Sequence, residues 1–221
     1  MLYPPEEVKG GGAMNEKKIT QQTITRLPGY LNYLSGLQTP RPKYISSCAI
    51  AQALALNEVV TRKDLAAVCP AGKPRVGYPL ETLENALKAA LSYGEKRDAV
   101  LVGAGKLGRA LIGYEGFGTL MLNIVAAFDI RDLKDEGSVP VLPLQMLGGV
   151  VKEKQILIGI ITTPAQAAQD ACDGLIRGGV KAIWNFAPVR LKTPDGILVQ
   201  NENMAASLAI LSAHLKKTNI F

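Results

Sequence analysis

The sequence predicts an α/β protein with two modules, an N-terminal winged helix-turn-helix domain and a C-terminal Rossmann-like domain built on a parallel sheet. Residues 99–129 contain an apolar strand pattern, a glycine-rich turn, a helical pattern and a second strand that ends in an acid, which is the order of a dinucleotide-binding unit. Residues 46–68 contain two short helical patterns joined by three residues, which is the spacing of a helix-turn-helix.

The composition excludes several classes of protein. The chain has 221 residues, of which 48% are hydrophobic, and this is sufficient for a real core. It contains neither an apolar run long enough to span a membrane nor the apolar centre of a signal peptide near its N-terminus, so we predict a cytoplasmic protein without a membrane partner. Cys48, Cys69 and Cys172 are odd in number and widely spaced, and they predict neither a disulfide framework nor a metal site.

The positive charge is concentrated in the N-terminal part of the chain. The net charge is +6, and residues 14–79 contain nine Lys and Arg against three Asp and Glu, so this stretch accounts for the whole excess. A basic module joined to a nearly neutral one favours a polyanionic partner for the first module only. The alternative is an ordinary solvated basic surface.

Glycine- and proline-rich stretches and changes in the charge and apolar pattern divide the sequence into five predicted segments. Residues 1–13, with Pro4-Pro5 and Gly10-Gly11-Gly12, are interpreted as a flexible leader or an expression remnant. The others are a winged-helix domain at residues 14–79, a connecting helix at residues 80–96, a Rossmann domain at residues 97–203 and a C-terminal helix at residues 204–221.

Apolar spacing predicts the first helix of the basic module. Ile24, Leu27, Leu31 and Leu34 recur at intervals of three and four, as on the buried face of an amphipathic helix. Pro28 predicts a kink or a break within it.

The helix-turn-helix and its wing follow. The hydroxyls of Ser46 and Ser47 precede a short helix, and Asn57 is a good N-cap for the third helix at residues 58–68. On that helix we expect Arg62 and Lys63 to face away from Val60, Leu65 and Val68. The loop at residues 70–78 has glycines, prolines and two cations, which suits a β-wing, although a solvated linker has the same composition.

Strand and helix patterns alternate through the second module, as a parallel sheet requires. In such a sheet ligands bind beyond the carboxyl ends of the strands, so the loops at residues 162–164 and 186–188 are expected beside a dinucleotide. The predicted strands are residues 99–102, 123–128, 139–141, 155–162, 181–185 and 197–199, and the predicted helices are residues 107–114, 144–151, 165–177 and 204–217.

The glycine turn has the spacing of a pyrophosphate-binding loop. Gly103 permits the tight turn, Gly105 allows close approach of the backbone to a pyrophosphate, and Gly108 allows helix and strand to pack closely. Asp129 follows about twenty residues later and can accept hydrogen bonds from a ribose diol. It favours NAD over NADP, although Arg131 leaves NADP open, and an unoccupied Rossmann-like turn is the alternative.

Seven segments resemble the Rex family of redox-sensing transcriptional repressors over about residues 19–215. The Rossmann turn alone matches many enzymes, but its combination with the other segments is specific. The segments are Arg26-Leu27-Pro28-Gly29-Tyr30, Ile45-Ser46-Ser47, Arg62-Lys63-Asp64-Leu65, Val76-Gly77-Tyr78, the glycine turn from Val102 to Leu111, Ala126-Ala127-Phe128-Asp129 and Asn185-Phe186-Ala187-Pro188-Val189-Arg190-Leu191.

The resemblance implies a homodimer that binds a palindromic double-stranded DNA operator and senses the ratio of NADH to NAD as regulatory ligands. It also implies that the C-terminal helix is exchanged between subunits and that NADH closes the dimer and releases DNA. The predicted cofactor-binding residues are Gly103, Gly105, Lys106, Leu107, Gly108, Asp129, Arg131, Thr162, Thr163, Pro164, Asn185, Phe186, Ala187, Pro188 and, from the partner's helix, Met204.

The predicted DNA-binding residues lie in the basic module. Lys63 is expected to reach guanine in the major groove, and the other four cations are expected to contact phosphates or the minor groove. The full set is Lys43, Ser46, Ser47, Asn57, Glu58, Thr61, Arg62, Lys63, Lys73 and Arg75.

The chain departs from the family at positions that bear on switching and on DNA reading. The resemblance assigns coupling of the two states to Arg26, Tyr114 and an aspartate whose place is taken here by Asn203. An amide lacks the charge that strengthens a hydrogen bond to arginine, so coupling is expected to be weaker or rewired. Ala55 replaces the usual turn glycine, and Val59-Val60-Thr61 replaces more polar residues.

Two other functions share part of these sequence features. An NAD-dependent oxidoreductase needs a proton donor or acceptor beside the nicotinamide, and the only histidine, His214, lies late in the C-terminal helix. A coenzyme A-binding module shares the glycine turn but leaves Asp129 and the N-terminal cations unexplained. The sequence therefore favours a regulator without catalytic residues.

Overall fold

The computed structural model describes residues 19–119, 121–133 and 137–217. The chain divides into two units, and the boundary along the sequence lies between Tyr93 and Gly94. The predicted leader at residues 1–13 lies outside the described residues. So do the last four residues of the predicted C-terminal segment.

The first unit is helical with a two-stranded sheet. Its elements are α1 (Gln21–Ser35), β1 (Tyr44–Ile45), α2 (Ser47–Ala53), α3 (Glu58–Val68), β2 (Tyr78–Pro79) and α4 (Leu80–Ala90). β1 and β2 pair antiparallel, and the loop before β2 is closed by a bridge between Lys73 and Gly77. This arrangement is the predicted helix-turn-helix followed by a wing.

Helix α1 continues through Pro28, so the predicted break does not occur. Pro28 is exposed, while Leu27 and Leu31 beside it are buried in the core of the unit. Burial of such side chains contributes about 1.5–3 kcal/mol each, which offsets the roughly 3 kcal/mol that a proline costs inside a helix. Ile24, expected on the buried face, is 37% exposed.

Helix α4 belongs to the same core. Leu83 and Leu87 on α4 are fully buried, and α4 packs against α1. The Arg41 guanidinium also donates to the buried Glu84 carboxylate on α4. The helix is therefore held by this unit along its length.

The second unit contains a six-stranded parallel sheet in the order β5-β4-β3-β6-β7-β8. All neighbouring strands run parallel, so their carboxyl ends lie at one edge. The elements are β3 (Arg97–Val102), α5 (Lys106–Ile112), α6 (Gly116–Thr119), β4 (Leu122–Asp129), β5 (Val141–Pro143), a 3₁₀ turn (Leu144–Met146), α7 (Leu147–Glu153), β6 (Ile158–Ile161), α8 (Ala165–Gly178), β7 (Ala182–Asn185), β8 (Leu198–Asn201) and α9 (Met204–Lys217).

The central strands of the sheet are buried on both faces. Val100 and Val102 of β3 belong to one apolar cluster, which includes residues of α7 and α8, and Leu101 belongs to a second cluster on the opposite face. A strand with two buried faces reads as a continuous apolar run, which is why β3 was recognisable in the sequence. The sheet fixes the position of every loop at its carboxyl edge.

Helix α9 differs from every other helix of this unit. Its described side chains from Met204 to Leu215 are all exposed, and they include Leu208, Ile210 and Leu211. None of the helices in the described part of the chain is long and apolar enough to cross a membrane.

Candidate functional site

A cavity of about 600 Å³ lies at the carboxyl ends of β3, β4 and β6. Nine of the predicted cofactor-binding residues line it: Gly103, Gly105, Leu107, Asp129, Arg131, Thr162, Thr163, Pro164 and Phe186. The volume is in the range of ligand pockets in proteins. The structure thus brings together residues that are up to 83 positions apart in the sequence.

The glycine turn forms one wall of the cavity. Gly103 has a φ of +102°, a conformation that glycine adopts without strain. A Cβ on Gly108 would lie 2.2 Å from the Gly103 carbonyl oxygen, so Gly108 is required for helix α5 to approach β3. A Cβ on Gly105 would meet no atom within 4 Å, and the space beside it is open for a ligand.

The turn is fixed by hydrogen bonds to neighbouring strands. The Gly103 amide donates to the Phe128 carbonyl at 2.7 Å, and the Thr162 hydroxyl donates to the Gly103 carbonyl at 2.7 Å. Thr163, the next residue, has a buried hydroxyl without a hydrogen-bond partner among the described residues. An orphaned polar atom in a cavity wall fits a site that receives a polar ligand.

Asp129 is buried at the end of β4 and is paired with Arg131. Arg131 Nε donates to Oδ1 at 3.0 Å, Nη2 donates to Oδ2 at 3.2 Å, and the Arg131 amide donates to Oδ1 at 2.9 Å. Burial would raise the pKa of Asp129, but these hydrogen bonds outweigh it and hold the pKa below its ordinary value. The carboxylate is therefore charged at neutral pH, and it lies in the lining of the cavity.

Several lining residues were not predicted. Ile130 directly follows Asp129, Leu144 follows β5, and Ala167, Asp170 and Ala171 lie in the first turns of α8. Their position after the carboxyl ends of strands is the signal that would have found them. The spacing of the α8 residues places them on one face of the helix.

Six predicted cofactor residues are not in the lining: Lys106, Gly108, Asn185, Ala187, Pro188 and Met204. Asn185 is fully buried, so the structure does not agree with a direct contact between its side chain and a cofactor. Its Nδ2 donates to the Val189 carbonyl and to Asn201 Oδ1, both at 2.9 Å, and its Oδ1 accepts from the Ala187 amide at 3.0 Å. Asn185 instead holds the loop that carries Phe186.

An aromatic contact connects the cavity wall to the segment before α9. The rings of Phe186 and Trp184 lie 4.6 Å apart between centroids. Trp184 Nε1 donates to Glu202 Oε1 at 3.1 Å, two residues before the helix. Met204, at the first position of α9, is 61% exposed.

Most of the predicted DNA-binding side chains are exposed in the first unit: Lys43, Ser46, Asn57, Glu58, Arg62, Lys63, Lys73 and Arg75. Ser47 is half-buried. Thr61 is fully buried, so the prediction that it contacts DNA does not agree with the structure. The reason is that Thr61, Asp64 and Leu65 form the inner face of α3, whereas Val60 is 39% exposed.

Several exposed polar groups have structural partners. Ser46 Oγ accepts from the Ala49 amide, and Asn57 Oδ1 accepts from the amides of Val59 and Val60, so both side chains cap helices. The Glu58 carboxylate accepts from the Cys48 thiol at 3.0 Å. The cations Arg62 and Lys63 of α3 point to solvent without such partners among the described residues.

Arg26, a predicted coupling residue, is paired with Asp64 of α3. Its Nε donates to Asp64 Oδ2 at 2.6 Å and its Nη2 to Oδ1 at 2.9 Å. The Tyr30 hydroxyl donates to Oδ2 at 2.8 Å and the Thr23 hydroxyl to Oδ1 at 2.9 Å. Burial would raise the pKa of Asp64, but the four donors hold it below its ordinary value. Sequence reasoning assigned Asp64 no role.

The other two predicted coupling residues lie in the second unit. Tyr114 is 59% exposed, and its ring packs edge-on to Phe117. Asn203 Oδ1 accepts from the Ala206 amide at 2.9 Å and so caps α9. Asparagine and aspartate are about equally good N-caps, so this residue preserves the start of the helix without the charge.

Solved structures and curated sequences resemble most of the chain. A Rex-family repressor, RSP, in complex with beta-NAD+ and operator DNA has a TM-score of 0.84 at 32% identity, over 92% of this chain and 95% of that one. The redox-sensing transcriptional repressor Rex of Treponema denticola is 37% identical over 86% of this chain and 91% of its own. The chain belongs to the Rex family of redox-sensing transcriptional repressors.

The other comparisons agree with this assignment. The Rex repressor of Syntrophomonas wolfei is 39% identical over 91% of this chain and 98% of its own, and RSP in complex with beta-NADH has a TM-score of 0.81 at 31% identity. Two family models match separate parts of the chain. The model described as "Putative DNA-binding protein N-terminus" matches residues 18–66, and the model described as "CoA binding domain" matches residues 95–189. The predicted fold class and the predicted regulator class are confirmed, and the oxidoreductase is not favoured.

Proposed function

We propose that the protein is a homodimeric repressor that binds a palindromic operator with its first units and is released from DNA when NADH binds in its second units. The observation that carries this proposal is the combination, in one Rex-family chain, of an exposed cationic recognition helix with a cavity built on a glycine turn and Asp129. RSP structures contain NAD+ with operator DNA or NADH.

The cavity residues fit a dinucleotide. The open space beside Gly105 admits a pyrophosphate. The charged Asp129 carboxylate in the cavity lining accepts from the ribose hydroxyls in exchange for part of its pairing with Arg131. A 2′-phosphate would meet the Asp129 carboxylate, so we infer a preference for NAD(H) over NADP(H). Thr163 supplies a hydroxyl that lacks a partner among the described residues.

Discrimination between NADH and NAD+ follows from the charge of the nicotinamide ring. NAD+ carries a cationic nicotinamide and NADH a neutral one, and an apolar wall such as Phe186 disfavours the cation because it removes water from it. A ligand shifts a two-state dimer only by its differential affinity for the states. NADH must therefore bind the DNA-releasing state more tightly than NAD+ does.

Dimerisation is proposed through helix α9. Its apolar side chains are exposed in the single chain, and a helix of this kind is stable in water only when it is covered. A second copy of the chain would cover it and would bring Met204 toward the partner's cavity, as the family resemblance implies. We place the protein in the cytoplasm, where it would meet both DNA and the NADH pool.

On the DNA side, the exposed cations carry the electrostatic part of binding. Arg62 and Lys63 lie on α3, Lys73 and Arg75 on the wing, and Lys43 just before β1. Phosphate contacts fix orientation, whereas contacts to base edges give specificity. Affinity should therefore fall steeply as salt rises.

The test is a DNA-binding titration with the full chain and a palindrome selected from random duplexes, with NADH, NAD+ or neither present. We expect NADH to weaken binding at least tenfold while NAD+ does not. In parallel, energy transfer from Trp184, the only tryptophan, to bound NADH reports ligand binding. DNA affinity that is equal in all three conditions, or steady consumption of NADH with a metabolite, would refute the proposal.

A further inference from the structure

The recognition helix α3 has an outer face that is not entirely cationic. Val59, Lys63 and Ala66 are spaced by four and then three residues, which places them in one stripe along the helix, and all three are exposed. The buried residues Thr61 and Leu65 lie on the opposite side. Val59 is 48% exposed at the N-terminal end of the outer stripe.

The first turn of α3 offers few other side chains for reading bases. The Asn57 oxygen is used as the helix cap, and the Glu58 carboxylate is turned toward Cys48 of α2. Val60 is on the flank, between the inner and outer faces. In a helix-turn-helix the N-terminal residues of the second helix contact base edges in the major groove. Val59 therefore occupies the reading position of this helix.

A valine cannot donate or accept a hydrogen bond, so its partner must be apolar. The only apolar group that the base pairs present in the major groove is the C5-methyl group of thymine. Placing Val59 against a base edge that has only donors and acceptors would desolvate them without compensation. The chemistry of this residue selects thymine.

We propose that Val59 contacts the C5-methyl group of one thymine in each operator half-site, which rests on the proposed DNA-binding function. Lys63 lies one helical turn further along the same stripe, where it can reach guanine acceptors. One turn of helix rises about 5.4 Å and successive bases are about 3.4 Å apart, so the thymine lies one or two base pairs from that guanine.

The experiment removes the methyl group and nothing else. The palindrome selected by the full chain is synthesised with each thymine replaced in turn by uracil, and the affinity for each duplex is measured by fluorescence anisotropy. We expect one thymine per half-site at which the replacement weakens binding about fourfold, the value of one buried methyl group of about 0.8 kcal/mol. Replacement of the other thymines should have little effect.

Val59→Ala identifies the residue that reads the methyl. It should bind the thymine duplex several-fold more weakly than the native chain and lose the uracil penalty at that one position. Val76→Ala is the matched control, because Val76 is also 48% exposed but lies in the wing, and the minor groove presents no thymine methyl. This control should keep the full uracil penalty.

Two results overturn the inference: no thymine at which uracil weakens binding of the native chain, or the same penalty at the same thymine in Val59→Ala. Binding to the selected palindrome in those cases would leave the proposed function intact. If no duplex is selected at all, the proposed function and the inference both fail. Val59 is exposed at a helix surface and alanine is a better helix former, so the variant should fold.

Discussion

Replacing Asp64 with asparagine should destabilise the first unit strongly. The Asp64 carboxylate is only 4% exposed and accepts four hydrogen bonds, two from Arg26 and one each from Thr23 and Tyr30. An asparagine keeps one acceptor oxygen and turns an NH₂ group toward donors. The substitution therefore removes bonds and leaves buried polar groups facing each other.

The size of the effect follows from burial. A hydrogen bond to a charged group contributes about 1.5–3 kcal/mol, and the bonds from Thr23 and Tyr30 are both buried. The Arg26 side chain is 30% exposed, so solvent screening reduces the contribution of its ion pair with Asp64 to the free energy of unfolding to about 1 kcal/mol or less. With one oxygen retained, we expect a loss of about 3 kcal/mol, which lowers the melting temperature of a unit this small by roughly 12–24 °C.

Thermal unfolding of the full chain measures this loss. Circular dichroism follows the helices of both units, whereas fluorescence of Trp184 reports the second unit only. The helical signal of the first unit should unfold earlier in Asp64→Asn. Glu81→Gln, which removes an exposed carboxylate from the first turn of α4 in the same unit, should lower the melting temperature far less. A shift of less than about 3 °C in Asp64→Asn would refute the reasoning.

Three further predictions concern pH and the cavity. The pKa of Asp64 is lower in the folded chain than in the unfolded one, so its contribution to stability is full above about pH 4 and is lost as the pH falls through the folded pKa. Acid unfolding of the first unit, monitored by circular dichroism, should therefore depend less steeply on pH in Asp64→Asn than in the native chain. Gly105→Ala should keep the native melting temperature and bind NADH at least tenfold more weakly in a titration, because the added Cβ meets no protein atom but occupies the space beside the turn. Gly108→Ala should melt at a lower temperature, because its Cβ would lie 2.2 Å from the Gly103 carbonyl oxygen. Equal melting temperatures of the two variants would contradict this packing. Asp129→Asn should weaken NADH binding by about 10- to 100-fold, as expected for loss of a charged acceptor, and unchanged affinity by calorimetry would argue against the ribose contact.

The second unit was largely predictable because its signals are local. The strand, turn, helix and strand from β3 to β4 lie within one continuous stretch, and each glycine has a specific steric reason. The boundaries of short strands were less accurate. The outer strand β5 begins at Val141 rather than at residue 139, since an edge strand this short has no two-faced apolar pattern.

Helix α3 shows why buried hydrogen bonds could not be predicted from the sequence. Apolar periodicity placed Val60 on the inner face of α3, but the inner face is formed by Thr61, Asp64 and Leu65. A buried aspartate is stable only with partners, and those partners on α1 lie 34 to 41 residues away in the sequence. The role of Asn185 was missed for the same reason. Its sequence motif was recognised, but the hydrogen bonds by which its buried side chain holds the loop after β7 could not be predicted from the sequence.

The proposed DNA contacts and the core contacts of α3 lie on separate faces, and this separation bears on how such proteins diverge. Asp64 and Leu65 are buried and fix the helix to the body of its unit, while Val59 and Lys63 are exposed on the outer side. Mutations on the outer side can therefore retune which promoters are silenced without an accompanying loss of foldedness. A lineage could rewire its regulon one surface residue at a time.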